Sequence, residues 1–159
     1  MATSPSTPAT RLLRAAGIAY TEHPYRYEER GGTRVSATAL GVDEHHVIKT
    51  LIMEDDTGAP LVVLMHGDRE VSAKALARQT GARRVDICDP ATATRHSGYL
   101  VGGTSPCGTR KAMPVYVEQS ILALDRIYIN GGSRGFLVGM DPADLRRVLT
   151  IVEVNAATT

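Results

Sequence analysis

VIKTLIMEDDTGAPLVVLM, residues 47–65, decides how the rest of the chain must be arranged. Val47 to Glu54 is rich in β-branched and large apolar residues and reads as a strand. Asp56-Thr57-Gly58 is a turn, and Leu61 to Met65 is a second strand, so the pair predicts a hairpin. The pattern then changes. Ser72 caps a helix over Ala73 to Thr80 with Gly81 at its end, Val85 to Cys88 is a short strand, and Asp89-Pro90 opens a helix to about His96. Strands arrive both as hairpins and with helices between them, which favours a mixed sheet over an all-parallel one.

The flanks are read the same way. Residues 1–6 are rich in Ser, Thr and Pro and read as a frayed tail. Thr7-Pro8 starts a helix whose Ala9, Leu12, Leu13 and Ala16 share one face, and Gly17 stops it. Ile18 to Glu22 is a strand, the charged segment Arg26 to Arg34 a mobile loop, and Ser36 to Leu40 a short helix. Beyond a glycine-rich stretch, Val115–Val117, Arg126–Asn130 and Phe136–Met140 read as strands. Asp141-Pro142 caps a last helix through Thr150.

At 159 residues the chain suits one domain, with a core of Val, Ile, Leu and Ala, since it has one Phe and no Trp. Eighteen basic and seventeen acidic residues give a formal charge of +1, which excludes a histone-like polycation but leaves room for a local basic rim. Two cysteines form neither a disulfide framework nor a CxxC pattern. The start, MATSPSTPAT, has no signal-peptide pattern and no apolar run spans a bilayer, so a cytoplasmic protein with reduced thiols is expected.

Chemistry concentrates in Gly98 to Tyr116, GYLVGGTSPCGTRKAMPVY, where Gly102, Gly103 and Gly108 surround Ser105-Pro106. Successive exposed amides in such a loop form a concavity for an anion or a carbonyl. Ser105 is a poor nucleophile: Pro106 supplies no N–H to an oxyanion hole, and the spacing is not GxSxG. Cys107 reads as an apolar filler. His45-His46 read as surface residues with no third metal ligand nearby, and His23, His66 and His96 as scattered singles. Lys49 shares a strand face with Val47, Leu51 and Met53, an expensive place for an ammonium. Two readings stand: an edge-strand lysine reaching to water, or a lysine aimed into a ligand site. A second glycine cluster, Gly131-Gly132-Ser133-Arg134-Gly135, could join Arg110 and Lys111 along a polyanion path.

These residues carry a resemblance. VIKTL at 47–51, ALARQTGARRV at 75–85, GYLVGGTSPCGTRK at 98–111, GGSRG at 131–135 and DPADLRRVL at 141–149 are similar to the YbaK/prolyl-tRNA-synthetase-associated editing domains. Within that family the chain resembles the free-standing Cys-tRNA(Pro) deacylases of YbaK type. The resemblance implies a single compact α/β (α+β) domain over residues 7–155, with a mixed, barrel-like sheet flanked by helices. It implies a pocket for the aminoacylated 3′ end of tRNA and prolyl-tRNA synthetase as a partner. Lys49 matches the family's functional lysine, and Gly102 and Gly103 match the loop whose amides would hold the terminal ribose or ester carbonyl. Tyr25 falls at a pocket tyrosine. Thr50, Thr104, Ser105, Gly131, Gly132 and Arg134 lie in the matching segments as substrate-side residues, and Arg110 and Lys111 as tRNA contacts. Asn130 and Leu137 depart from the pattern, standing where many relatives carry a small residue and some a polar or acidic one.

No Ser/His/Asp or Cys/His unit, metal set or cofactor motif is apparent, which fits the route the resemblance implies. The thiol of the mischarged cysteine attacks its own ester, and the protein positions it and stabilises charge. A hydrolytic Ala-tRNA(Pro) deacylase and a non-catalytic tRNA- or nucleotide-binding module are the alternatives.

Overall fold

The computed structural model describes residues 5–158; of the expected tail at 1–6, residues 1–4 lie outside that range. The Thr7 hydroxyl accepts from the Thr10 amide while the Thr10 hydroxyl accepts from the Thr7 amide, so a capping box starts α1 (Pro8–Ala15) where the Thr-Pro pair predicts. The order continues β1 (Thr21–Pro24), α2 (Gly32–Leu40), β2 (Ile48–Asp55), β3 (Pro60–His66), β4 (Glu70–Val71), α3 (Ala73–Thr80), β5 (Val85–Ile87) and α4 (Pro90–Ser97). Then come β6 (Val115–Glu118), β7 (Ile127–Ser133), β8 (Phe136–Met140), α5 (Leu145–Val148), β9 (Ile151–Val154) and β10 (Ala157–Thr158).

β2 and β3 form the expected hairpin, Lys49 facing Met65 and Thr50 facing Leu64. This hairpin sits inside a sheet ordered β5-β2-β3-β6-β9, in which the β3–β6 and β6–β9 pairs are parallel. A second sheet runs β1-β8-β7, with Pro24 on its edge strand, where a missing N–H costs no ladder bond. A single parallel bridge, Val47 to Tyr128, joins the two sheets. The mixed α/β class expected from the sequence is therefore present, although the sheets do not close into a barrel.

Strand alternation sorts the core into layers. Ile48, Ile52, Val62, Leu64, Val115 and Val117 face inward with Ile127, Ile129, Phe136, Val138 and Met140, and α1 seals them with Ala9 and Leu13. Burying each large side chain contributes about 1.5–3 kcal/mol. The opposite face of the five-stranded sheet, Met53, Leu61 and Val63, packs under Leu76 and Ala77 of α3. A third cluster lies under α2, where Ala37 meets Val47 and Leu137.

The structure corrects three expectations. The last helix is only Leu145–Val148, after a 3₁₀ turn at Pro142–Asp144, and Ile151–Val154 is instead a parallel edge strand beside β6. Its partner is far away in sequence, so local pattern had nothing to show. The expected loop at 26–34 gives its last residues to α2, which begins at Gly32. Thr33 ties that first turn down by donating to Glu44 and to the Gly67 carbonyl. The first strand starts at Thr21, because Ile18 is drawn into the inner core.

Candidate functional site

β2 changes partner along its length. Val47 bridges β7, but the ladder to β5 begins only at Met53, so along Lys49–Leu51 the strand is paired on the β3 side alone. The Ile52 carbonyl accepts from Cys88 on the β5 side, and main-chain groups alternate along a strand. Thr50 therefore turns its N–H and C=O toward this window. Its side chain shares the inner face with Ile48 and Ile52, and its hydroxyl is buried without a partner.

Lys49 stands on the outer face of the same window. Val47 on one side packs under α2, and Leu51 on the other packs with the cluster under α3, so the lysine bridges two apolar layers. Its side chain is 20% exposed, with Nζ 3.4 Å from Oε1 of Glu70, a carboxylate 76% exposed. So long a contact with a solvated group contributes little and leaves the ammonium able to change partner. β2 lies between β3 and β5 in the sheet order, yet its ladder to β5 starts only at Met53, so Lys49 stands on a locally open edge of an otherwise interior strand.

The glycine loop reaches the window through β7. Asn130 lies two residues beyond the Val47–Tyr128 bridge on β7, as Lys49 does on β2. Asn130 Nδ2 donates to the Gly102 carbonyl at 2.9 Å, and Oδ1 accepts from the amides of Gly132 (2.8 Å) and Ser133 (3.2 Å). Arg134 Nε donates to the Val101 carbonyl at 2.9 Å, with its guanidinium 5.2 Å from the Tyr27 ring centroid. At Gly103 a Cβ would lie 2.8 Å from the Arg134 nitrogen and 2.9 Å from the Ser133 carbonyl carbon, so close backbone approach requires glycine there. The Gly103 amide closes a turn onto the Leu100 carbonyl.

The predicted residues thus divide. Gly102 is held by Asn130 and the neighbouring Val101 carbonyl by Arg134, while Lys49 stands two residues past the β2–β7 bridge; Tyr25 packs beside Leu137 under α2, its N–H on the Gly135 carbonyl. Thr104 and Ser105 are buried, Ser105 accepting from the Cys107 amide. Gly131 and Gly132 press against Phe136, Tyr99 and Thr7, behind the loop rather than on its surface. Arg110 lies at the loop's end, exposed to solvent. Lys111 donates from Nζ to Nδ1 of buried His96, whose Nε2 donates to Glu54 of β2 at 2.9 Å. Sequence reasoning missed Tyr27 and the bracketing role of Asn130; Tyr27, spaced two from Tyr25 and close to an Arg-bearing turn, was the available signal for the first.

Neither cysteine offers a nucleophile. Burial holds the Cys107 thiol up at about 11, and burial with Glu54 and Asp89 holds Cys88 there as well. The histidines are less scattered than expected. His45 stacks on His66 with ring centroids 3.7 Å apart and planes 5° apart, and its Nδ1 is 2.9 Å from Asp68. Imidazole lone pairs lie in the ring plane, so two parallel stacked rings are not placed to share one ion. The Glu54, Cys88 and His96 cluster is committed too, because His96 spends one nitrogen on Glu54 and the other on Lys111. In the cleft lined by Asp55, Asp56, Arg83 and Tyr116, both carboxylates already accept from the Thr57 and Arg83 amides.

His66 yields a stability prediction. Its Nδ1 donates to the His45 carbonyl and its Nε2 accepts from Ser120, a neutral arrangement, and burial pushes its pKa below 6.5 against the opposing pull of the His45 carbonyl. The unfolded chain then binds the proton more readily. Stability contributed by neutral His66 is present above pH ~6.5 and is lost as pH falls toward the folded pKa. Urea unfolding at pH 7.5 and 5.5 should show a larger drop for the wild type than for His66→Gln, which has no proton to gain.

Residues 30–148 match the sequence profile of the aminoacyl-tRNA editing domain. The chain belongs to that family. The editing domain is 27% identical over 141 residues to EbsC of Enterococcus faecalis, provisionally named a Cys-tRNA(Pro)/Cys-tRNA(Cys) deacylase, covering 88% of this chain and 86% of that one. It is 31% identical over 140 residues to a proline–tRNA ligase of Nitratidesulfovibrio vulgaris, covering 87% of this chain and 21% of the ligase. Its fold is shared with a crystal structure provisionally titled a trans-editing enzyme for prolyl-tRNA synthetase, at a TM-score of 0.77 and 20% identity over 95% of this chain and 98% of that one. Hypothetical protein APE2540 superposes at a TM-score of 0.83 with 21% identity, over 93% of this chain and 99% of that one. No helix among the described residues is long and apolar enough to cross a membrane.

Proposed function

We propose that this editing domain is a free-standing deacylase that removes cysteine from mischarged Cys-tRNA(Pro), acting in the cytoplasm beside prolyl-tRNA synthetase. The observation that carries the reading is Lys49: an ammonium with only a long, solvent-side ion pair, at an unpaired window of β2 just past its bridge to β7, the strand whose Asn130 holds the glycine loop. The likeness to EbsC supports cysteine as the amino acid removed.

In this reading the 3′-terminal adenosine sits against the glycine loop, with the Gly102 amide and Lys49 turned to the ester. The substrate's thiol loses its proton and attacks the ester carbonyl. The new C–S bond closes a cyclic thioester as the C–O bond breaks, and the ribose oxygen leaves and takes up a proton. Among the described residues, the two high-pKa thiols and the buried Ser105 offer no activated nucleophile, which suits a reaction whose nucleophile belongs to the substrate. The protein's share is orientation, worth up to ~7–11 kcal/mol in favourable cases, and stabilisation of the developing oxyanion.

The test is to incubate the protein with preformed Cys-tRNA(Pro) and Ala-tRNA(Pro), with and without prolyl-tRNA synthetase. Faster loss of cysteine than of alanine is expected. Cysteine that stays attached at the uncatalysed rate would sink the proposal. Loss of alanine alone would make the protein a hydrolytic deacylase, since alanine has no thiol.

A further inference from the structure

The two glycine-rich segments are far apart in sequence and meet at one side chain. Asn130 divides its hydrogen-bonding capacity between them. Its carbonyl oxygen takes the amides of Gly132 and Ser133, where the β7–β8 register shifts between Asn130 and Ser133, and its NH₂ reaches across to the Gly102 carbonyl. A glycine-rich loop has few side chains of its own to fix its position, and the tip of this one exposes Leu100 and Val101, 59% and 43% accessible. Bonds inside the loop hold the Gly103 and Cys107 amides, and the outside bonds to the Val101 and Gly102 carbonyls set how its tip sits against β7.

We propose that Asn130 is a positioning residue: it locks the glycine loop onto the β7 bulge and thereby fixes the Gly102 amide relative to Lys49. Two features make the role specific to an asparagine. The Gly102 carbonyl needs a donor and the bulge amides need an acceptor, and a carboxamide supplies both from one planar group. A serine at this position has one hydroxyl to divide between the same partners. Arg134, on the Val101 carbonyl, holds the adjacent peptide, so the loop is tied at two successive carbonyls. The inference rests on the proposed deacylase reading for its functional half and on geometry alone for its structural half.

Asn130→Asp separates the two tasks. A carboxylate still accepts from Gly132 and Ser133, so the bulge is kept, but it has no proton for the Gly102 carbonyl and repels it. Asn130→Ala removes both. Amide hydrogen exchange read by mass spectrometry on peptides covering 98–105 should speed up several-fold in Asn130→Asp, while peptides over β7 and β8 keep their wild-type protection. In Asn130→Ala both regions should exchange faster. In the deacylation assay Asn130→Asp should lower kcat by on the order of ten- to a hundredfold with KM within about twofold, the signature of a misplaced rather than an absent contact.

Unchanged exchange over 98–105 in Asn130→Asp overturns the inference whether or not the protein is a deacylase. Faster exchange with an unchanged kcat overturns the positioning role and leaves only a structural clip. If the wild type has no deacylase activity, the function proposal fails and the exchange comparison alone decides the clamp.

Discussion

A Lys49→Ala variant is expected to deacylate Cys-tRNA(Pro) on the order of a hundred- to a thousandfold more slowly than the wild type, the effect seen when one oxyanion-stabilising donor is removed. The size follows from the surroundings. The ammonium stands between the apolar layers under α2 and α3, where a charge interaction is screened less than at the open surface. Its resident partner, Glu70, is mostly solvated and 3.4 Å away, so little is lost when the lysine turns to a substrate. The fold should barely notice the change, because a pair of this kind contributes about 0–1 kcal/mol. Melting within a few degrees of wild type, with single-turnover cleavage collapsed, is the expected combination. A wild-type rate in Lys49→Ala removes the lysine from the mechanism and with it the main support for the proposed function. Lys49→Arg is expected to recover little, since a planar fork on a longer stem does not occupy the position of a compact ammonium.

The second large effect is expected from Gly103→Ala. Its φ is not in the left-handed region, so the methyl group costs little in backbone conformation; the cost is the approach to main-chain atoms of Ser133 and Arg134 at 2.8–2.9 Å. Backbone, unlike the end of a flexible side chain, has to move as a unit, and overpacking of this sort costs about 1–3 kcal/mol. The movement would push the loop off Asn130, so activity should fall with stability. Gly58→Ala is the comparison: Gly58 has φ +82° in the β2–β3 turn and open space where a methyl group would stand, so its cost is conformational, about 1–2 kcal/mol. Urea midpoints for the two variants, together with deacylation rates, separate clash from torsion. Gly103→Ala with full activity and a midpoint no lower than wild type would falsify the close-approach account.

Much of the fold was legible because its signals are local. The Thr7-Pro8, Ser72 and Asp89-Pro90 starts, the Gly81 stop and the hairpin of β2 with β3 each depend on residues within a few positions of one another, and each was found where expected. β9 was not legible. Ile151–Val154 becomes a strand because parallel β6 offers it a ladder, and a four-residue segment after a helix carries no sign of that partner. The pairing of two histidines was not legible for a related reason. His66 looks isolated in sequence, yet the hairpin brings it under His45, twenty-one residues earlier, with the two rings stacked.

The candidate site divides along the same line. By itself the sequence determined that a glycine-rich loop, a second glycine cluster and a lysine on an apolar strand face exist, because residue type and strand alternation suffice for that. Which face Lys49 occupies relative to the sheets, that β2 is unpaired beside it, and that Asn130 ties the two glycine segments together were decided only by tertiary structure. A window in a sheet is a property of how three strands diverge, and the Asn130–Gly102 bond joins residues 28 positions apart. Neither leaves a trace in local pattern, since both are set by packing energies summed over the whole inner core.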